Sequence, residues 1–429
     1  MNDMFCGVNV VDVINGAIHE EVDVEVSGNV IASVQKHLSS HTNAGYDKFR
    51  GKYLLPGLVD MHIHLRGWKY SGPAPDNSNP GISTRQGDEG RILSKLHSYL
   101  YCGVTTVFDA GNVPDLILKM REREHLNQIV SPRIFCTGNL ITSIGGHGSE
   151  VAVQMDSLDK AAIGSYLKQK PNLVKITYDE HGWGIRPMIS ILKKDVLRAI
   201  TDYIHSKGLK TIVHISNEIR AREAIESGSD ILAHPVIQSP VSEDFIKLIH
   251  RENKQFVSTL QIGEGYSRLA DHPEYLNERI YSDCLDQEER DFLINQERLR
   301  QLDNSWAKWM KIMTPIAAEN VRRLGQRPDL LLVGTDGTSG PEYFRELELL
   351  QQYGVPRSTI IRAATANAYK ALGIEKAGRI SPGFSADFII VDGNPLKDIR
   401  NLGNVSAVIK NGSSVDLTSL RLPCNSGVR

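Results

Sequence analysis

Residues 58–64, with the sequence LVDMHIH, form a short apolar run that ends in two histidines separated by one residue. The run is rich in residues that favour β-strands, and side chains on a strand alternate between its two faces. His62 and His64 are therefore expected on one face, and Ile63 on the other. Imidazole nitrogen is a common metal ligand, so this pair predicts two ligands for one metal ion at the end of a strand.

Seven more apolar runs follow, and segments with the period of an amphipathic helix separate them. The eight runs are 58–63, 104–110, 133–138, 173–178, 210–215, 230–235, 255–260 and 330–336. Alternating strands and helices predict an α/β protein with a parallel sheet, and eight strands are the number that closes a (β/α)8 TIM barrel. We predict such a barrel over residues 55–375.

Both ends of the chain differ from this pattern, because short β-type runs separated by Gly and Asn turns replace the helices. Residues 1–54 and 376–429 are therefore predicted to form together a small composite β-sandwich domain. Two insertions interrupt the barrel. A Pro- and Gly-rich stretch at 67–87 is predicted to be a long loop on the active face, and a charged, helical stretch within 265–315 is predicted to cover the barrel mouth.

Composition limits the partners and the location of the protein. The 49 basic and 51 acidic residues leave a formal net charge of -2, which gives no long-range field to attract nucleic acid or an anionic membrane. The five cysteines are scattered and include no Cys-x-x-Cys pair, which favours a reducing compartment. No apolar run approaches the roughly 20 residues of a membrane helix, and the start of the chain lacks the pattern of a signal peptide. We therefore expect a cytoplasmic protein with a small-molecule substrate and no nucleic-acid or membrane partner. The sequence is also compatible with assembly into a homo-oligomer.

Polar residues lie at the ends of four other strands, where a purely structural barrel would have Val or Ile. They are Lys175 in LVKITY, His214 in KTIVH, His234 in DILAH and Asp336 in LLLVGTD. A buried ammonium group is costly unless it is paired, deprotonated or modified. A lysine that has added carbon dioxide to become a metal-bridging carbamate meets this condition, and an ion-paired or surface-reaching lysine is the alternative. Asp336 is predicted to be a metal ligand and general base, with a helix cap as the alternative, and each histidine alone could be an ordinary core residue.

Three motifs resemble those of the amidohydrolase superfamily: LLPGLVDMHIHL at 54–65, VGTDG at 333–337 and GRISPGFSADFIIVDGNP at 378–395. The resemblance covers essentially the whole chain. It implies a centre of two divalent metal ions, with zinc as the expected ion, and a ligand set that matches the family in type and order. The implied ligands are His62 and His64 on the buried metal, Lys175 as a bridging N6-carboxylysine, His214 and His234 on the second metal, and Asp336 as ligand and general base.

The segment GGHG at 145–148 resembles a loop of one branch of this superfamily, which includes metal-dependent Xaa-Pro and Xaa-Arg dipeptidases and imidazolonepropionase-like proteins. The residues after Lys175, ITYDEHGWG, differ from the Gly- and Ser-rich turn of the dipeptidases. Since six positions are already assigned to metal, His147 in the GGHG loop is predicted to donate a hydrogen bond to the substrate. Tyr178 is predicted to be a second substrate contact.

The predicted reaction is hydrolysis of an amide or peptide-like carbon–nitrogen bond in a small substrate, such as a dipeptide or an N-acyl amino acid. Water activated by the two metal ions attacks the carbonyl group, and Asp336 takes the proton of that water and delivers it to the departing amine. Two alternatives stay open. One is a mononuclear deaminase or cyclic imide or lactam hydrolase, in which His214 is a ligand and Lys175 is not. The other is a metal-free barrel scaffold that works by association.

Overall fold

The computed structural model describes residues 2–37, 47–65, 89–182 and 187–422. The loop predicted at 67–87 and the cysteine at position 424 therefore lie outside the described residues.

The described strands are numbered in chain order. They are β1 Asn2–Asp12, β2 Ala17–Ser27, β3 Val30–Lys36, β4 Tyr53–Pro56, β5 Leu58–Ile63, β6 Val104–Asp109, β7 Arg133–Cys136, β8 Leu140–Thr142, β9 Ala152–Gln154, β10 Val174–Thr177, β11 Thr211–His214, β12 Ile231–Leu232, β13 Gln255–Val257, β14 Leu331–Leu332, β15 Phe388–Val391, β16 Val405–Lys410 and β17 Ser413–Ser414.

The described α-helices are numbered in the same way. They are α1 Glu89–Tyr101, α2 Pro114–His125, α3 Lys160–Leu167, α4 Lys194–His205, α5 Glu218–Glu226, α6 Glu243–Arg251, α7 Leu260–Asp271, α8 Arg279–Cys284, α9 Gln287–Phe292, α10 Arg298–Asp303, α11 Ser305–Leu324, α12 Gly340–Gln352, α13 Arg357–Arg362 and α14 Ala368–Ala371. None of these helices combines the length and the apolarity needed to cross a membrane.

Eight parallel strands form the barrel, and each lies within one of the eight predicted runs. They pair in two consecutive ladders, β5 to β7 and β10 to β14. The short strand β8 follows β7 and pairs with β10 through Ile141 and Ile176. On the other side, a bridge between Ile63 and Gly337 joins β5 to the segment after β14. These links close the ring and confirm the predicted (β/α)8 barrel.

Apolar side chains from the barrel strands form one buried cluster. Val59, Phe108, Ile212, Val257 and Leu332 come from five barrel strands and belong to one buried apolar cluster. A filled interior is typical of this fold, in which the functional groups lie beyond it at the carboxyl ends of the strands. The predicted metal ligands lie at those strand ends.

A β-bulge in β5 sets the direction of its histidine pair. Between Asp60 and Ile63, β5 has one residue more than the paired segment of β6. Met61 consequently packs in the interior cluster, whereas Ile63 packs on the outside among the helices. The change of face lets His62 and His64 both point into the barrel at the end of the strand.

The small domain is one mixed sheet drawn from both chain ends, in the order β17-β16-β15-β4-β1-β2-β3. A bridge between Val30 and Ser385 joins β3 to the segment before β15, so the sheet folds back on itself around an apolar core. Side chains of β15 alternate between two environments, since Phe388 packs in this core and Ile389 packs in the cluster of the barrel. β15 is therefore buried on both faces and joins the two parts of the protein.

The insertion between β13 and β14 is helical, as predicted, and contains α7 to α11. Two small apolar clusters hold it together, one around Tyr281 and one around Trp306. Its role as a cover for the barrel mouth stays a prediction.

Candidate metal centre

His62 on β5 and His64, which directly follows the end of β5, are held by hydrogen bonds from their Nδ1 atoms. His62 Nδ1 lies 3.1 Å from the carbonyl oxygen of Ala233, and His64 Nδ1 lies 2.8 Å from that of Gly111. A neutral imidazole that donates from Nδ1 keeps the lone pair of Nε2 free for a metal. Burial lowers the pKa of His62 well below its usual range, and the nearby Lys175 amine acts in the same direction. His62 is therefore held in the neutral form that binds metal.

The carboxylate of Asp336 lies close to the Nε2 atoms of His62 and His64. Its Oδ1 lies 3.0 Å from His64 Nε2 and 3.5 Å from His62 Nε2. The Asp336 backbone has a φ of 55°, a strained value for a residue with a side chain, and its amide donates to the His62 carbonyl at 2.7 Å. Burial acts to raise the pKa of the Asp336 carboxyl, but the imidazoles of His62 and His64 outweigh burial and lower it well below the usual range.

Lys175 lies in the same group, as the sequence predicted from its place on an apolar strand. The side chain is 2% exposed, and its Nζ lies 3.2 Å from His62 Nε2. Burial lowers the pKa of the amine from 10.5 to about 7, although Asp336 and Asp109 act in the opposite direction. A substantial share of this lysine is consequently neutral near pH 7.

His234 completes this first group. Its Nδ1 lies 2.9 Å from the Thr259 hydroxyl, and its ring centroid lies 4.5 Å from that of His62. The ligand atoms of His62, His234 and Asp336 all lie within 4.8 Å of one another. Zn²⁺ binds nitrogen and oxygen at about 2.0–2.2 Å. This set of imidazoles and one carboxylate, with each histidine oriented through its other nitrogen, therefore fits a divalent metal ion.

A second group of possible ligands adjoins the first. It contains His147, Asp179 and His214, whose ligand atoms also lie within 4.8 Å of one another. The His214 ring lies between the groups, with its centroid 4.4 Å from those of both His147 and His234. Asp179 is an addition to the predicted site residues, and the only sequence signal for it is the unusual segment that follows Lys175.

The two predicted substrate contacts have different surroundings. His147 lies beside His214, in the second group. Tyr178, in contrast, donates its hydroxyl hydrogen to Glu223 at 2.9 Å, and the Arg220 guanidinium lies 5.7 Å from the centre of its ring. The structure thus does not bring the Tyr178 hydroxyl to the other site residues, and its contact with a substrate stays a prediction.

A (β/α)8 barrel with histidines, a lysine and an aspartate at its carboxyl-terminal strand ends is the architecture of metal-dependent hydrolases. The chain belongs to the amidohydrolase family, since the model of that family matches residues 53–415. The family predicted from the sequence motifs is therefore confirmed, and with it the prediction of an enzyme of the hydrolase class.

Sequence relatives are distant. An uncharacterized protein of Mycobacterium tuberculosis is 26% identical over 241 residues, which cover 56% of this chain and 59% of that protein. The alignment thus spans less than two thirds of the mycobacterial relative. Ochratoxinase of Aspergillus niger is 23% identical over 374 residues, covering 83% of this chain and 73% of that enzyme.

Solved structures share the fold over nearly the full chain. The crystal structure of a prolidase complexed with N-methylphosphonate-L-proline has a TM-score of 0.74 and 22% identity, and covers 97% of this chain and 99% of its own. This neighbour is of the dipeptidase kind that the GGHG motif indicated, and at this identity the likeness is one of fold.

Proposed function

We propose that this protein hydrolyses an amide or peptide-like carbon–nitrogen bond in a small substrate of the dipeptide or N-acyl amino acid class. The observation that carries the proposal is the convergence of His62, His64, Lys175, His234 and Asp336 at one end of the barrel. Their mutual distances suit a metal site, and hydrogen bonds to Ala233, Gly111 and Thr259 orient the three histidines.

The residues that would hold two divalent ions are those predicted from the sequence: His62, His64, Lys175, His214, His234 and Asp336. Zinc is the proposed ion, because the set is rich in imidazole and completed by oxygen ligands. When bound, such ions polarise the substrate carbonyl and lower the pKa of water.

Lys175 is proposed to be carboxylated. The neutral amine attacks carbon dioxide, a nitrogen–carbon bond forms, one proton is released, and the product is a carbamate anion. Two observations support this proposal: the amine is buried, and its pKa of about 7 makes the reactive neutral form available near neutral pH. The carbamate would turn a costly buried ammonium into an anionic ligand.

Asp336 is the proposed general base. Its strained backbone and its contact with His64 hold one carboxylate oxygen at the group of ligands. The carboxylate accepts a proton from the attacking water and then transfers it to the nitrogen of the amine as the carbon–nitrogen bond breaks. One group thus serves as base in the first step and as acid in the second.

The relatives support the substrate class without fixing the substrate. One sequence relative is an ochratoxinase, and one structural neighbour is a prolidase with a phosphonate derivative of proline. We therefore propose that the substrate carries a carboxylate beside the bond that is cleaved.

A screen of purified protein reconstituted with Zn²⁺ tests the function. The substrates are N-acyl amino acids, Xaa-Pro and other dipeptides, and, as the competing classes, lactams, cyclic imides and aminated heterocycles. We expect turnover of an acyclic amide that a chelator abolishes and Zn²⁺ restores, and turnover that is roughly 100- to 10,000-fold slower in Asp336→Asn. Activity on the competing classes alone would favour the mononuclear alternative, and a protein that binds no divalent ion would favour the scaffold.

A further inference from the structure

The outer side of α11, in the insertion between β13 and β14, exposes apolar side chains to solvent. The inner face of this helix packs on α7. On the outer side, Ile312 is 62% exposed and Trp309 is 40% exposed, and the preceding helix α10 exposes Leu299 and Leu302 as well. Four of the eleven large apolar side chains that the described residues expose thus lie between positions 299 and 312. Apolar side chains that cluster on a surface mark an interaction site, whereas single ones do not.

A stripe of four exposed residues runs along α11: Lys308, Ile312, Pro315 and Glu319. Their spacing of four, three and four residues places them on one side of a helix with 3.6 residues per turn. Two apolar residues lie at the centre of the stripe, with a cation at one end and an anion at the other. A helix face that stays in water is normally polar along its whole length, so this face is suited to a contact.

The stripe has the same spacing from either end, with opposite charges at the two ends. Lys308 lies four residues before Ile312, and Glu319 lies four residues after Pro315. A second α11 that lies antiparallel on the first, about a two-fold axis between Ile312 and Pro315, therefore brings each Lys308 to the Glu319 of the other copy. The same axis brings Ile312 against Pro315. A parallel copy would place Lys308 beside Lys308, and like charges in contact are unfavourable.

Both charged ends of the stripe can take part in this contact. The Lys308 ammonium group forms no ion pair within the described ranges of the chain. Glu319 is 48% exposed, and its carboxylate accepts hydrogen bonds of 2.7 and 2.5 Å from the Arg322 guanidinium. A carboxylate has about four lone-pair sites, so it can accept from a lysine and keep its contact with Arg322. The two new ion pairs would lie about 16 Å apart and would fix the register of the helices.

We propose that two copies of this chain associate through the outer sides of α10 and α11, antiparallel about a two-fold axis. A two-fold dimer buries the same patch on both copies and therefore needs a self-complementary patch, which the stripe supplies. A different protein partner has no need of this symmetry. Specific interfaces bury about 1,200–2,000 Å² in total, which is more than one helix stripe offers, so Leu299 and Leu302 are expected to extend the contact. The inference is independent of the proposed function.

The molecular mass in solution tests the proposal. The purified chain and its variants are measured by size-exclusion chromatography with light scattering and by sedimentation velocity, over a wide range of concentration. We expect the wild type to form a dimer or a larger assembly that contains it. Ile312→Asp is expected to halve the mass and to raise the Kd of the dimer about 100-fold, because each copy would bury a carboxylate in place of an apolar side chain.

Exchange of the charges tests the register of the two helices. Lys308→Glu places like charges together at both ends of the contact, and so does Glu319→Lys, and each variant is expected to raise the Kd about 10-fold. An equimolar mixture of these two variants has an opposite pair at each end. The double variant Lys308→Glu/Glu319→Lys has the same property. Both are expected to regain most of the wild-type affinity.

The matched control is Lys247→Glu on α6, which makes the same change of charge on a side chain that is 76% exposed and is expected to keep the wild-type mass. Circular dichroism checks that each variant is folded. A wild type that is monomeric at every concentration overturns the proposal, and so does Ile312→Asp that keeps the wild-type assembly. Single charge variants that associate as well as the wild type, or whose mixture stays dissociated, overturn the antiparallel arrangement.

Discussion

Replacing Glu346 by glutamine tests how the burial of one carboxyl group controls the pH dependence of stability. Glu346 lies on α12 and is fully buried. Its Oε2 accepts a hydrogen bond of 2.6 Å from the backbone N–H of Gln261, and its Oε1 is buried without a hydrogen bond in the part of the chain that the structure describes. Burial disfavours the carboxylate and raises the pKa of Glu346 from 4.5 to about 7.

Stability from this group is present at low pH and is lost as the pH rises. Below pH 4.5 the folded and unfolded chains both keep the proton. Between pH 4.5 and 7 the unfolded chain releases the proton while the folded chain retains it, so the free energy of unfolding falls, and above pH 7 the loss is complete. The raised pKa corresponds to about 3 kcal/mol in total, of which about 2.5 kcal/mol falls between pH 5 and pH 8.

Urea denaturation at pH 5 and pH 8, at matched metal content, measures this effect. Glutamine does not titrate, so the fall in unfolding free energy between the two pH values should be about 2.5 kcal/mol smaller in Glu346→Gln than in the wild type. The control is Glu348→Gln on the same helix, a partly exposed residue that pairs with Arg345, and it should keep the wild-type difference. An equal fall in Glu346→Gln and the wild type would refute the reasoning.

Three further substitutions examine the site. Asp336→Asn is expected to keep most of its metal and to lose roughly 100- to 10,000-fold in kcat; kinetics measured beside metal content would exclude this role if the rate stayed within a few-fold of wild type. Lys175→Ala is expected to lose metal and activity together, with partial recovery in the presence of a short carboxylic acid, and full metal content and rate would rule out the carbamate. Gly334→Ala would place a Cβ 2.5 Å from Val257 Cγ1 and 2.8 Å from His62 Cβ, so we expect a loss of about 1–3 kcal/mol in unfolding free energy. Urea denaturation and Zn²⁺ titration should both show the effect of Gly334→Ala, and an unaltered midpoint and affinity would contradict it.

The barrel could be predicted because each of its strands lies within a short, mainly apolar run, and segments with a helical period separate these runs. The run predicted at 58–63 coincides with β5, and the run predicted at 210–215 contains β11 and extends one residue beyond it at each end. Periodicity could not predict the bulge between Asp60 and Ile63, because one extra residue depends on the partner strand.

The proximity of the residues in the second group of ligands could not be predicted from the sequence. Asp179 lies in a polar segment after β10, and nothing in that segment indicates that the loop carrying His147 folds back over it. Proximity between loops depends on tertiary packing, which leaves no periodic signal. Strand alternation did carry information on Tyr178: Lys175 and Thr177 share a face of β10, so the tyrosine belongs to the opposite face, where its hydroxyl reaches Glu223.

The composite origin of the small domain has a consequence for the order of folding during synthesis. β4 pairs with β15, for example Tyr53 with Val391, so a strand made early waits for a partner made near the end of translation. β4 leads through Gly57 directly into β5, which carries His62 and is followed at once by His64. His62 and His64 are therefore synthesised long before β15, the strand that pairs with β4 and completes the adjacent sheet. A nascent chain that stops before residue 388 keeps an uncovered edge on β4, a template for aggregation, and a chaperone that shields this edge should bind such truncated chains in preference to the complete one.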